Sequence, residues 1–192
     1  MCCMNIEIKR LTPELCDDWL GYFDGIAFGD HGEWAFCYCL EGHMTRQANE
    51  DLKDHIERRE YAKKLILEGK MQGYLAYDKD KVVGWCNVND RDNYPYIAEL
   101  FEYAKYTAPA KKTKAVFCFL VAAEYRGRGI ANSFLNRVCE DAKAEGYACV
   151  EAYPFTDANM EFQFHGTTKM YLNNGFRKVA DLQFISVMEK EI

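Results

Sequence analysis

The chain has 192 residues, enough for one domain with a sizeable core, and 1–192 is read as a single domain. Hydrophobic residues at 49% and aromatics at 15% exclude a disordered chain. A formal charge of -6 argues against nucleic acid as the main partner and leaves room for a cationic or amine-bearing one. No apolar run approaches the ~18 residues that span a bilayer, so no membrane partner is expected. The opening Met1-Cys2-Cys3-Met4-Asn5 lacks the basic region and apolar core of a signal peptide, which makes the cytoplasm the expected compartment. Nine cysteines without small-scaffold spacing are then expected as reduced thiols.

From the start of the chain, Asn5 to Leu11 alternates and predicts a first strand. Thr12-Pro13-Glu14 is a helix start, with a capping hydroxyl, proline at the first helical position and an early acid, and the helix should run to about Phe23. The stretch 26–47 has glycines and no clear period, so loop and short helical turns are expected. Within it Cys37 and Cys39 are flanked by His31 and His43. The C-x-C spacing falls outside the usual zinc pattern, so packing or the lining of a substrate pocket is favoured and no metal is expected. Asn49 to Lys70 is charge-dense with a sparse stripe of Leu52, Ile56, Leu65 and Ile66. It predicts one long surface helix capped by Asn49 and ended by Gly69.

Gln72 to Tyr77 and Val82 to Val88, joined by Asp78-Lys79-Asp80-Lys81, read as a β-hairpin. The polar stretch 89–114 carries several tyrosines. It is expected to hold a short helix around Ala98 to Lys105 and to wall part of the substrate site.

Ala115 to Ala123 is an unbroken apolar run, the pattern of a strand buried on both faces. Arg126-Gly127-Arg128-Gly129 follows. A helix comes next, in which Ile130, Phe134, Val138 and Ala142 recur at i, i+4, widened by Leu135 and Cys139, with Gly146 as the closing residue. A strand, a glycine turn and a helix in this order favour an anion. The first amides of a helix lack intrahelical partners, the dipole adds positive charge, glycine permits close approach, and two arginines add donors. A tight turn whose glycines only relieve strain is the plainer alternative.

Ala148 to Tyr153 predicts another strand, stopped by Pro154. An insert spans Thr156 to Gly166, Thr167 or Thr168 caps a short helix carrying Tyr171, and Gly175 ends it. Phe176 to Ala180 and Phe184 to Glu189 form a closing hairpin. The order β-α-α-β-β-β-α-β-α-β-β gives an α/β fold, a central mixed sheet with helices on both faces.

Two segments carry a resemblance. Arg126-x-x-Gly129-x-Ala131, between an apolar strand and an amphipathic helix, resembles the Q/R-x-x-G-x-G/A signature of the GCN5-related N-acetyltransferases. Tyr171-Leu-Asn-Asn-Gly175-Phe176 resembles that superfamily's Tyr-x-x-x-Gly-Phe segment, in the expected order. The resemblance implies acetyl-CoA as co-substrate, with its pyrophosphate on Arg126, Gly127, Arg128, Gly129, Ile130 and Ala131. It also implies a backbone N–H near Leu120 or Val121 that polarises the thioester carbonyl, and Tyr171 as the acid for the leaving thiolate. The implied reaction is acetyl transfer to a primary amine of a small molecule or peptide, by direct attack in a ternary complex.

The base is less defined. Glu151, an acid inside an apolar strand, is the first candidate, with a structural acceptor as the equal alternative. Glu99, Glu102 and Asp90 are further options. Cys118 reads as a small core residue, and His165 has no companion that would make it a base. A Rossmann site is disfavoured because Gly127-x-Gly129-x-x-Asn132 lacks the third glycine. A non-catalytic acyl-CoA-binding or sensing module on the same fold stays open, as does a homodimer.

Overall fold

The structure, a computed structural model, describes residues 6–157, 159 and 164–192. Seven strands form one mixed sheet in the order β1-β2-β3-β4-β5-β7-β6. They are β1 Ile6–Arg10, β2 Gly73–Asp78, β3 Lys81–Asp90, β4 Thr113–Val121, β5 Cys149–Ala152, β6 Arg177–Leu182 and β7 Ile185–Glu191. The helices are α1 Cys16–Gly25, α2 Arg46–Asp51, α3 His55–Leu67, α4 Pro95–Tyr103, α5 Ile130–Ala144 and α6 Thr168–Asn173. The expected first strand begins inside the chain's first described residues, its Asn5 lying outside them. Part of the 156–166 insert also lies outside.

Only β4 and β5 run parallel, as expected for strands joined by a crossover helix, here α5. Their pairing is short: Thr113 to Val116 meet Cys149 to Ala152. Pro154 then stops β5 from continuing, while β4 runs on to Val121, so among the described residues its far half has no strand partner on that side. On its other side β4 pairs with β3, and the register slips between Asn87 and Val88, leaving Phe117 without a partner.

The sheet is covered on both faces. Trp19, Leu20 and Phe23 of α1 and Leu65 and Ile66 of α3 pack with Leu75, Tyr77 and Trp85. On the opposite face the predicted stripe of α5, Ile130, Phe134, Leu135, Val138 and Ala142, is buried with Tyr74, Ala76, Val116 and Phe119. Tyr22 Oη donates to the Leu120 carbonyl at 2.9 Å, tying α1 to β4.

The single long helix expected over 49–70 is instead two helices. Leu52 leaves helical geometry, and Asp54 caps α3 by accepting from Ile56 N and Glu57 N at 2.9 Å. The buried Arg58 reaches back to the Asn49 and Leu52 carbonyls, which the break leaves unpaired. Asn49 lies inside α2 rather than capping it, and its Oδ1 accepts from Arg58. Thr12 also makes no side-chain cap; a 3-10 turn, Pro13–Leu15, precedes α1. The seven described cysteines are all free thiols. Among the described residues, no helix is long and apolar enough to cross a membrane.

Candidate active site

The turn after β4 has the conformation its glycines permit. Gly127 and Gly129 take φ of 72° and 84°, left-handed values that side chains resist. Gly129 is the N-cap of the 15-residue α5 and offers no side-chain cap, so the first-turn amides of Ile130 and Ala131 face outward without intrahelical partners. A Cβ at either glycine would meet nothing within 4 Å, so the backbone can be approached closely. The arginines are already engaged. Arg126 Nε donates to the Val121 carbonyl at 2.9 Å, and its other nitrogens pair with Asp30, whose carboxyl is held below its usual range by that contact. Arg128 lies over the Tyr125 ring, 5.5 Å from its centroid. The donors and open approach suit a phosphate-bearing group.

At the free edge of β4, the segment around 164–166 is the neighbour. Phe119 N donates to the Phe164 carbonyl at 2.6 Å. His165 Nδ1 donates to the Phe117 carbonyl, also at 2.6 Å, using the oxygen of the residue that the register slip leaves unpaired. A ring nitrogen facing a carbonyl must carry the hydrogen, so Nε2 of His165 holds the lone pair. Burial pushes this imidazole down, which keeps it uncharged at neutral pH. This corrects the reading of His165 as a histidine without a companion: its companion is a backbone carbonyl 48 residues away. The signal was absent from the sequence because it depends on the bulge in β4.

Tyr171 is fully buried on α6, where Thr167 caps the helix by accepting from Met170 N at 3.1 Å. Its hydroxyl donates to the His165 carbonyl at 2.9 Å. Burial pushes the phenol well above its ordinary value, so it stays protonated. The His165 residue thus joins both: the ring carries a lone pair and the backbone oxygen accepts the Tyr171 hydrogen bond. Leu120 pairs with Trp85 on β3, whereas the Val121 carbonyl takes the Arg126 donor beyond the β5 pairing.

Glu151 sits elsewhere. It is fully buried, opposite Ala115 in the paired part of the two strands. Arg91 Nη1 donates to it at 3.2 Å and Tyr153 Oη at 3.0 Å. Burial raises its carboxyl and Arg91 opposes the rise. Its ligand atom lies within 4.8 Å of those of Cys149 and Glu189, but Glu189 is paired with Lys111 at 2.8 Å and Arg177 at 2.7 Å. Three cations therefore answer these two carboxylates. Of the other acids considered, Asp90 pairs with Lys114 at 2.9 Å and Glu99 accepts from Arg46 N at 2.8 Å.

A cavity of about 340 Å³ opens beside the free half of β4. Cys118 and Leu120 line it from the strand, with His165 and Phe164 from the edge segment and Trp34, Phe36, Cys37 and Cys39 from the 28–41 stretch. Cys118 packs against the core, as expected, and also lines this cavity. Stretch 89–114 does not wall this cavity. Its helix α4 instead borders a separate groove with α2 and the β6–β7 turn.

The Cys37–Cys39 cluster is split among several partners. His31 stacks on Trp34 at 4.0 Å and meets Glu33, and His43 Nε2 meets Asn87 Oδ1 at 3.1 Å. Cys39 Sγ accepts from Asn87 Nδ2 at 3.1 Å. Burial works to raise this thiol, but its polar neighbours Cys118, Trp85 and Asn87 bring it below its ordinary value, whereas burial pushes Cys37 up to about 12. Tyr38 and Cys39 both take left-handed φ, 42° and 50°, a strained pair next to the cavity.

The comparisons agree with this architecture. The chain is similar in structure to the PaiA N-acetyltransferase of Thermoplasma acidophilum in complex with coenzyme A, at 16% identity and TM-score 0.59, covering 98% of this chain and 100% of that one. It is similar to an acetyltransferase of Thermus thermophilus at 14% identity and TM-score 0.58, covering 100% of both chains. A GNAT-family acetyltransferase of Streptococcus pneumoniae aligns at 14% identity and TM-score 0.54, over 98% of this chain and 100% of that one. At such identities the likeness shows the fold. Among curated proteins none matches. The model of the acetyltransferase (GNAT) family matches residues 28–165, from Phe28 of the cavity wall through β4, the glycine turn and α5 to His165, and the chain belongs to that family.

Proposed function

We propose that the protein transfers an acetyl group from acetyl-CoA to a primary amine by direct attack in a ternary complex. Membership of the family supports an acyl-CoA-dependent acetyltransferase in general, and a relative of the same fold is in complex with coenzyme A. The observation that carries the reading is the open glycine turn at the N-terminus of α5, directly continuous with a strand whose free edge borders a cavity.

The amides of 127–131 and the α5 dipole hold the phosphates, with Arg128 beside them. The coenzyme supplies an activated acyl thioester with a good leaving group. The Val121 amide, beyond the β5 pairing, is the residue proposed to polarise the acyl oxygen. The amine enters through the cavity, and His165 Nε2 takes the proton it loses on attack. The Tyr171 hydroxyl protonates the departing thiolate. Glu151, held by Arg91 and Tyr153, is given a structural role instead of the base role.

The reading is tested by calorimetric titration of coenzyme A. Gly129→Asp sets a carboxylate where the phosphates are proposed to sit, and affinity is expected to fall at least ~10-fold, a loss of about 1.4 kcal/mol. A thermal midpoint close to the parent's checks that the strained φ at this position has not unfolded the turn. Unchanged affinity in a folded variant contradicts the assignment.

A further inference from the structure

The cavity on β4 has largely aromatic walls and one carboxylate. The rings of Phe28, Trp34, Phe36, Phe155 and Phe164 line it, and Glu41 is its one carboxylate among the described residues. The Phe164 ring stands edge-on to Trp34 at 5.3 Å and to Phe28 at 6.2 Å. Glu41 is half-buried, and among the described residues its carboxylate has no hydrogen-bond or ion-pair partner. Its charge is felt by His165, Cys37 and Cys118, all of which line the cavity.

One cation also lines the cavity, and its hydrogen-bond donors are all taken. The Arg58 guanidinium donates through Nε to the Phe36 carbonyl at 2.7 Å. Its Nη1 donates to the Asn49 and Leu52 carbonyls at 3.3 and 2.8 Å, and its Nη2 to the Cys37 carbonyl and Asn49 Oδ1 at 3.3 and 2.9 Å. Those are all five of its N–H donors. A ligand carboxylate would find no free donor from this arginine, and His165 is uncharged. The Arg58 charge remains and is felt by Glu41, so what the cavity offers an ammonium group is the Glu41 carboxylate, which still has acceptor capacity, and the ring quadrupoles of its aromatic walls. A volume of about 340 Å³ suits a small molecule.

We propose that the acceptor is an arylalkylamine, a primary amine on a short chain bearing an aromatic ring and no carboxylate, with its nitrogen at Glu41 and its ring among Phe28, Trp34 and Phe164. This deepens the acetyl-transfer reading and rests on it. Glu41 collects the ammonium form, which gives one proton to solvent water, and the neutral nitrogen attacks, its second proton passing to His165 Nε2. An amino acid such as phenylalanine would bury a carboxylate with no partner. A polyamine would bring more positive charge than one carboxylate answers, against apolar rings. A peptide lysine would set backbone amides on walls that offer them few partners.

The test compares phenethylamine, tryptamine, phenylalanine, spermidine and a lysine peptide as acceptors with acetyl-CoA. It reads kcat/KM by thiol release, and phenethylamine binding separately by calorimetry. Phenethylamine or tryptamine is expected to exceed phenylalanine by roughly 100-fold, the scale set by an unpaired buried carboxylate. Glu41→Gln should raise the KM for phenethylamine by roughly 10- to 100-fold, the scale of a hydrogen bond to a charged group, and leave coenzyme A affinity unchanged. Preference for spermidine or the lysine peptide, or a Glu41→Gln variant with the parent's KM, overturns the acceptor class while acetyl transfer stands. If no amine is acetylated, the transferase reading fails instead. The site is then judged by calorimetry, where phenethylamine binding lost in Glu41→Gln upholds it and no binding to the parent overturns it.

Discussion

At the scale of single residues, the site depends on groups whose protonation is set by burial. Tyr171 is pushed up and His165 down, so at neutral pH one holds a proton and the other a lone pair. Tyr171→Phe keeps the ring and its packing but loses the hydroxyl that donates to the His165 carbonyl. It is expected to lower kcat by roughly 10- to 1,000-fold with little change in KM, because the proton is delivered only as the thiolate forms. His165→Gln should lower kcat/KM by roughly 10²- to 10⁴-fold. The sign of the pH dependence follows from the direction of the shift. A base whose value is lowered from 6.5 is protonated only at pH below that, so the parent loses activity on the acid side and gains nothing from this group above neutrality. The variant should lack that acid limb. A Tyr171→Phe enzyme with the parent's kcat, chemistry being rate-limiting, removes the acid role, and an unchanged acid limb in His165→Gln removes the base role.

At the scale of elements, what was legible in the sequence is what local pattern determines. The continuous apolar run of β4, the i, i+4 stripe of α5 and its closing Gly146 needed no distant partner, and the two hairpins fell where turn residues separate strand-like runs. The stripe has an energetic consequence. Phe134 is fully buried under the sheet, and Phe134→Ala should destabilise the fold by about 3–5 kcal/mol, read by denaturant unfolding. A loss below about 1 kcal/mol would mean that α5 is not packed as described. The break between α2 and α3 was not legible, because Arg58 satisfies carbonyls on both the 36–37 stretch and α2 through a tertiary contact. His165 escaped for the same reason. Its role depends on a carbonyl exposed by a slip in strand register and on a chain segment brought back from beyond β5. Glu151 drew notice as an acid in an apolar strand, and that oddity is met by Arg91 and Tyr153, residues whose nearness no spacing reveals.

At the scale of the molecule, the short parallel pairing of β4 with β5 organises the proposed site. It leaves half of β4 without a strand partner on that side among the described residues, so the proposed anion cradle at the end of the strand and an aromatic cavity along it belong to one continuous element. The proposed coenzyme and acceptor would thus meet at the residues that carry His165 and Tyr171. The most direct measurement of that claim is the initial-rate pattern of thiol release, with acetyl-CoA and amine varied together and the product identified by mass spectrometry. Release that requires the amine, intersecting double-reciprocal lines and an N-acetylated product are the results expected of direct transfer in a ternary complex. Thiol release at the same rate without amine, or tight acetyl-CoA binding with no release for any amine, would contradict it.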